Sequence, residues 1–507
     1  MILRKLSPLL FLLAACTAPH PTAPLAPDAQ LPPPPLDKDG PGADQILVAT
    51  FSGGGTRAAA LAQGALNGLK ATPLPGGRTM LDEIDILSST SGGSVTAANF
   101  VARGPDSFAA YEADFLRYPF MGRLYAALLN PVSLVDNVLV ENDRIEPVVE
   151  VFEDRVFGDL TLGKAQARPG APYMILNATD AASGLTFAMT QDYFDWLCAD
   201  ARPYPLARAV AASAAYPVAL SPVTLANRCA PAGPAAPRPE TVERVGMHLP
   251  DPEAGAVDAP EDVPLRERAL RAKRLIDGEA AYVHLYDGGV ADNMGLSEPL
   301  RLLTTSYEDA VFSRALKEES VTSLALLSVD ARSAGEADYD RSEEPPTMLE
   351  ALLAVTGGAI GSRMSGLAAQ STALDLLAEQ YNAVRCANSA SAAEDLEKAF
   401  GTCRLKKRDE FILRSRRIFL SFNNIAPPAC RRAFASVPTS WSLEPHVVTA
   451  LLLLGEGLLY ADPDYGELVA RSDAPIDPGD LAARGEALVE AACGCVLDAG
   501  ACPGSGM

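Results

Sequence analysis

The chain has 507 residues, 48% hydrophobic and 21% charged, enough for a large core and two or three domains. Its 42 basic and 64 acidic side chains leave a net charge of −22, which argues against nucleic acid as a partner because phosphate binding wants a basic surface. The same sign argues against adhesion to an anionic membrane by charge alone.

Arg4 and Lys5 precede a short apolar run, Leu9 to Leu13, too brief to span a bilayer. The run ends in Leu13-Ala14-Ala15-Cys16, which resembles the lipobox of bacterial lipoproteins. An ordinary signal peptide with a chance cysteine is the alternative. The resemblance implies that residues 1–15 are a lipoprotein signal peptide and that Cys16 becomes the lipidated first residue. Thr17 follows, not aspartate, which by the same rule implies the outer membrane of a bacterial envelope, facing the periplasm. Several acyl chains on one residue anchor stably where one does not. Residues 16–43 are rich in Pro and Ala, show no core-forming pattern and read as a semi-extended tether.

Beyond Cys16 the chain holds eight cysteines, an even number that suggests disulfides in an exported protein. Proximity along the chain suggests Cys198–Cys229 and Cys386–Cys403. A zinc site is the weaker alternative, since Cys493-Gly-Cys495 lacks ligand spacing and only four histidines exist.

The first strand is Ile46-Leu-Val-Ala-Thr-Phe51, followed by the turn Ser52-Gly-Gly-Gly-Thr-Arg57. Ala58, Leu61, Ala62, Ala65, Leu66 and Leu69 then repeat with helical period. A second strand–turn–helix unit is Ile84-Asp-Ile-Leu-Ser-Ser-Thr-Ser-Gly-Gly-Ser94, its helix expected over 95–103. Two such units in succession predict neighbouring parallel strands with right-handed crossovers. Residues 104–165 read as mixed and mostly helical. Tyr173 to Ala178 is a strand, with a partner over Leu185 to Thr190 beyond a turn at Ser183-Gly184. Pro205 to Ala215 is a small-residue helix. Residues 230–262, rich in Pro, Ala and acid, read as a surface insertion, and Leu265 to Leu275 as a charged helix. Ala281 to Tyr286 is a strand running into Asp287-Gly-Gly-Val-Ala-Asp-Asn293, with a helix from Leu296. Val321 to Val329 is a strand ending at Asp330, 348–385 is helical, and Arg417 to Asn423 is a late strand. Leu451 to Leu454 is too short to cross a membrane and reads as core. The strand–turn–helix units fall within residues 44–335, the expected main body, and 336–507 is expected to be a mostly helical C-terminal region packing on that core.

Acyl transfer to a serine needs a nucleophile, a base and oxyanion donors. Ser91 is the candidate nucleophile, because a strand that breaks sharply into a helix lifts the turn residue towards free backbone N–H groups. A tight structural turn is the plain alternative. Gly53, Gly54 and Gly55 are the candidate oxyanion hole, since glycines let amides converge at a helix start. A nucleotide loop would need Gly-Lys-Ser/Thr there, which Thr56-Arg57 does not supply. None of His20, His248, His284 and His446 has a catalytic setting. Alternation turns His284 away from the face of residue 287. Asp287 closes a strand before two glycines and is expected at the carboxyl edge of the sheet, where α/β sites gather. A turn-forming Asp-Gly pair is its alternative.

Together, Gly54-Gly55-Thr56-Arg57, Ser89-Thr90-Ser91-Gly92-Gly93 and Asp287-Gly288-Gly289, in that order, resemble the patatin-like phospholipase family. Ala212-Ser-Ala-Ala-Tyr-Pro217 and Asn177-Ala-Thr-Asp180 add to the likeness, which spans roughly residues 44 to 335. One position departs: Ser89 stands where the elbow has its first glycine. The resemblance implies a three-layer α/β sandwich around a mostly parallel sheet. It implies a serine acyl hydrolase of phospholipid, lysolipid or other fatty-acyl ester, working through a Ser91–Asp287 dyad and the Gly53–Gly55 amides. Arg57 would orient the glycine loop or meet a lipid phosphate, or is an ordinary surface arginine. That chemistry requires no metal and no cofactor. A scaffold of the same fold anchored in the envelope, and a Ser-His-Asp esterase using His446, are the alternatives.

Overall fold

The structure, a computed structural model, describes residues 21–31, 44–120, 122, 144–217, 219–229, 236–249, 263–304, 321–332 and 409–503, with isolated positions between 374 and 407. The expected signal peptide, Cys16, His20, much of the tether and nearly all of 348–385 lie outside the described residues.

The described strands are, in chain order, β1 (Ala23–Pro24), β2 (Gln45–Phe51), β3 (Ile84–Thr90), β4 (Tyr173–Asp180), β5 (Thr186–Ala188), β6 (Ala199–Asp200), β7 (Val223–Ala226), β8 (Tyr282–Asp287), β9 (Ser323–Asp330) and β10 (Arg416–Ser421). The helices that matter below are α1 (Gly55–Ala71), α2 (Gly92–Arg103), α3 (Pro239–Gly246), α4 (Val263–Ile276), α5 (Pro445–Ala461) and α6 (Pro478–Leu497). The chain divides into two compact units. The larger comprises Pro32–Met121, Lys164–Asn177 and Gly288–Met507, and the smaller comprises Met1–Leu31, Gly122–Gly163 and Ala178–Asp287.

In the larger unit the strand order is β10-β9-β2-β3-β4, and every neighbouring pair is parallel. All seven residues of β3 and six of the seven in β2 are buried. Burial on both faces explains why β2 reads as a near-continuous apolar run rather than an alternating one; in β3 the buried Asp85 accepts the Leu47 amide at 2.8 Å, and the strand ends in small polar residues. α1 forms as its helical period predicted, and it is buried on more than its apolar face. Fourteen of its 17 residues are buried, because α5 closes over the side that would otherwise meet water. A Cβ on Gly64 would overlap Leu452 O of α5, and one on Gly455 would overlap Leu61 O. The two helices approach backbone to backbone, which is possible only where no side chain intervenes. The leucine run is thus core, with Leu451 and Leu454 both fully buried. Cys430–Cys493 ties the helix Pro428–Ala435 to α6, and Cys495–Cys502 closes the end of the chain. Cys386–Cys403 forms as chain proximity suggested.

In the smaller unit the last residues of β4 pair with β8, β8 pairs with β7, and β5 pairs with β4. As expected, Asp287 closes its strand, and it faces Ala178 near the carboxyl end of β4. What the sequence did not show is direction: β8 runs antiparallel to both neighbours. β8 alternates as expected, with Val283, Leu285 and Asp287 buried and Tyr282 and His284 exposed. Cys198–Cys229 also forms as proximity suggested. The expected insertion 230–262 contains the regular helix α3, which packs against α4 through Val245, Ala269 and Ala272. The Pro and acid content masked a short amphipathic repeat.

Part of the expected tether is not a tether. β1 pairs antiparallel with β6, and Thr22 and Ala29 are buried. Arg228 donates to Thr22 O, Arg238 to Ala26 O and Ala29 O, and Arg202 pairs with Asp28. A Pro-rich segment leaves carbonyls without ladder partners, and arginine forks from elsewhere in the unit satisfy them. Composition could not show this, because the partners lie about 170 to 210 residues away.

The sheet is therefore mixed and mostly parallel, with helices flanking it. This is the α/β class the sequence implied, joined to a helical C-terminal region that also supplies the edge strand β10.

Candidate active site

β3 ends at Thr90 and α2 begins at Gly92, three residues earlier than its apolar pattern suggested. The whole turn is therefore Ser91. Its backbone sits at φ 52° and ψ −122°, a conformation that a non-glycine residue adopts at an energetic cost of about 1–3 kcal/mol. A serine before a helix ordinarily caps it by accepting an N–H from the first turn. Ser91 makes no such side-chain cap. A strained backbone without a side-chain cap separates this residue from an ordinary capping serine.

The glycines around Ser91 carry the close packing. A Cβ on Gly92 would overlap Gly55 O, and one on Gly93 would lie 2.6 Å from Ser52 O. Ser89, at the family's first-glycine position, does not share this demand. It is buried without a positive φ, accepts a hydrogen bond from Ser94 Oγ at 3.1 Å and donates to Ile175 O at 3.4 Å. Asn177 braces the same strand end, donating to Ser88 Oγ and Ser89 O, each at 2.9 Å.

The turn 53–55 lies directly against this elbow. A Cβ on Gly53 would stand 3.2 Å from Ser91 Cβ. Gly54 and Gly55 have φ 141° and 60°, conformations that suit glycine alone. The amides on either side of the pair are committed: Gly53 N donates to Asn293 O at 3.1 Å, and Thr56 N donates to Ser440 O at 2.8 Å. Between them, the Gly54 and Gly55 N–H groups meet no acceptor among the described residues, and neither does Gly92 N, the amide after Ser91.

Arg57 is buried at 3% exposure. Its guanidinium donates to Val437 O and, at 3.1 Å, to Thr439 Oγ1. Burial pulls its pKa down to about 10, and nearby Asp330 partly offsets the loss. Asn293 and Asp292 are residues that the motif reading passed over. Asp292 O accepts Thr90 Oγ1 at 3.0 Å, while the Asp292 carboxylate collects the Met294, Gly295 and Ser297 amides. Their sequence signal was only their place after Asp287-Gly-Gly. The segment 437–441 carried no signal at all.

Asp287 belongs to the smaller unit. It is 5% exposed, its N–H donates to Ala215 O at 2.9 Å, and its carbonyl accepts Thr179 Oγ1 at 2.8 Å. The next residue, Gly288, belongs to the larger unit. A Cβ there would overlap Asn177 O and lie 3.1 Å from Thr90 Cγ2. Asp180, in the stretch Asn177-Ala-Thr-Asp180, is engaged by Arg271 Nε at 2.5 Å in a buried pair. His284 is exposed and shares a 2.9 Å hydrogen bond with Thr224 Oγ1. His446 opens α5, directly after its first residue.

A serine held in a strained strand–helix elbow against a glycine turn, on a mostly parallel α/β sheet, is the frame of an acyl-transfer enzyme. Residues 49–300 match the family model of the patatin-like phospholipases, and the chain carries a patatin-like phospholipase domain, of a family of lipid acyl hydrolases. The matched span takes in the glycine turn, Arg57, Ser91, Asp287 and Asn293 and ends before β9, β10 and the C-terminal helices. No curated protein matches the chain.

Proposed function

We propose that the protein hydrolyses fatty-acyl esters of membrane lipids, with Ser91 as nucleophile and Asp287 as its base. The observation that carries this reading is the Ser91 backbone: a serine at φ 52° that does not cap its helix and sits against a glycine turn. Ser91 Oγ attacks the ester carbonyl carbon while its proton passes to the Asp287 carboxylate. The carbonyl π electrons move onto oxygen, and the oxyanion is met by backbone N–H groups. Collapse expels the lysolipid or alcohol, which takes the proton from Asp287. Water then repeats the sequence on the acyl-serine and releases the fatty acid.

Gly54, Gly55 and Gly92 supply the oxyanion donors, because the Gly53 amide is already engaged by Asn293 O. Gly53 serves by its lack of a side chain beside Ser91. Support for Asp287 as the base comes from the family resemblance, in which the Asp-Gly-Gly motif follows the glycine turn and the serine elbow in this order. Lipid anchoring through Cys16 in a bacterial outer membrane would place the enzyme beside its substrate.

The test uses the protein without its first 20 residues, assayed for fatty-acid release from phospholipid vesicles and from a nitrophenyl ester. Ser91→Ala and Asp287→Asn should each abolish both activities, and His446→Ala should not. Full activity in Ser91→Ala would refute the assignment. Absence of hydrolysis by the wild type across phospholipid, lysolipid and glyceride would leave a scaffold of the same fold.

A further inference from the structure

The C-terminal region lies beyond the matched family span, yet one of its segments touches the glycine turn at three points. Ser440 O accepts the Thr56 amide at 2.8 Å. The Ser440 backbone fills the space beside Gly55, where a Cβ would meet Ser440 O at 2.5 Å and Ser440 N at 3.2 Å. Arg57, two residues on from Gly55, donates to Val437 O and Thr439 Oγ1.

The segment is itself anchored at both ends. Upstream, the helix Pro428–Ala435 is bonded through Cys430 to Cys493 of α6. Downstream, Trp441 packs on Phe120 with ring centroids 5.5 Å apart and on Phe115 at 6.3 Å, and the chain enters α5, which is seated on α1. It is a strap with fixed ends.

We propose that residues 437–441 are a positioning element of the acyl-transfer site. Resting on the serine-hydrolase reading above, the strap and Asn293 act as two clamps on one short loop. Asn293 O holds the amide before the Gly54–Gly55 pair, and Ser440 O holds the amide after it. The two N–H groups between the clamps are left to meet an oxyanion. Glycines at φ 141° and 60° have many accessible conformations, so such donors are preorganised only if something outside the loop holds them. Preorganised donors contribute to rate because they need no reorganisation as charge develops. Arg57 is the positioning residue that locks the strap to the loop. Its buried guanidinium makes two bonds to the strap and faces no open solvent, so it acts on the loop rather than on a lipid phosphate.

The experiment compares Arg57→Met, Arg57→Lys, Thr439→Val and Trp441→Leu with wild type. It reads kcat and KM on a nitrophenyl ester, the affinity of a trifluoromethyl ketone that forms a tetrahedral oxyanion on serine, and the thermal midpoint. Arg57→Met should lower kcat by roughly 10- to 100-fold, the range expected for displacing oxyanion donors by up to about 1 Å. KM should stay within about twofold, and ketone affinity should fall in proportion to kcat. Arg57→Lys, keeping one donor, should recover part of the loss. If Arg57→Met does not fold, Thr439→Val and Trp441→Leu decide on the same readouts, since Trp441→Leu leaves both Arg57 bonds in place and Thr439→Val keeps the one to Val437 O. Folded variants with wild-type kcat, or with lowered kcat and unchanged ketone affinity, would overturn the proposal. An active Ser91→Ala would sink the underlying hydrolase reading. An inactive Ser91→Ala beside unaffected strap variants would sink only the role of the strap.

Discussion

Gly53→Ala is the most direct probe of the geometry around Ser91. Gly53 has no positive φ, so alanine brings no backbone strain there. What it brings is one methyl group, 2.5 Å from Asn293 Oδ1 and 3.2 Å from Ser91 Cβ. Real Cβ contacts seldom fall below 3.4 Å. The Asn293 amide must therefore swing away by about 0.9 Å, and Ser91 must give by a few tenths of an ångström. A displacement of about 1 Å at a reacting group lowers rate by roughly 100-fold, so a shift of a few tenths should lower kcat by about 10-fold. Stability should fall by only about 1–2 kcal/mol, since one flexible side chain absorbs most of the overlap. The assay is nitrophenyl ester hydrolysis beside urea unfolding. The control is Gly246→Ala on α3, where a Cβ meets nothing within 4 Å. It should leave kcat unchanged and raise stability by about 0.5–1 kcal/mol. A Gly53→Ala protein with wild-type kcat would refute the claim that the glycine turn bounds the nucleophile.

Ser91→Gly should abolish hydrolysis while raising stability by about 1 kcal/mol over Ser91→Ala, because glycine relieves the φ 52° strain that alanine retains; equal unfolding midpoints would count against stored strain. Asp195 should make stability depend on pH. Burial raises its carboxyl to about 6, against help from Gln191 and Arg238. A raised carboxylate pKa stabilises the fold below the unfolded value, near 4, and that contribution is lost as pH rises through about 6. The loss approaches about 3 kcal/mol for a shift of roughly two units. Asp195→Asn should remove that slope in urea midpoints taken between pH 4 and pH 7, and parallel curves for the two proteins would contradict the assignment.

The elements nearest the chemistry were legible because their signals are local. A buried parallel strand is a short apolar run. The turn that follows β2 needs glycine for its backbone angles, and the turn that follows β3 needs small residues for its packing. Ser91, the glycine turn and Arg57 stand out on that basis, and so does Asp287 before its two glycines. Direction was not legible. The stretch 282–287 reads the same whether its strand runs parallel or antiparallel, and only pairing with Ala178 and Val223 decided it. Nor was the docking of 22–29, where proline-rich backbone is held by Arg202, Arg228 and Arg238 from far along the chain.

By itself, then, the sequence determined which residues could carry an acyl transfer and in what order they come. Nucleophile elbows and glycine turns are imposed by steric limits on one or two residues. Only the tertiary structure decided which amides remain open to an oxyanion. Gly53 looks the same as Gly54 and Gly55 in the sequence, yet its N–H is taken by Asn293 O, 240 residues away, and Thr56 is held by Ser440. Hydrogen-bond partners at such separation leave no periodicity and no motif, because a carbonyl is present at every residue and its use is set by packing alone.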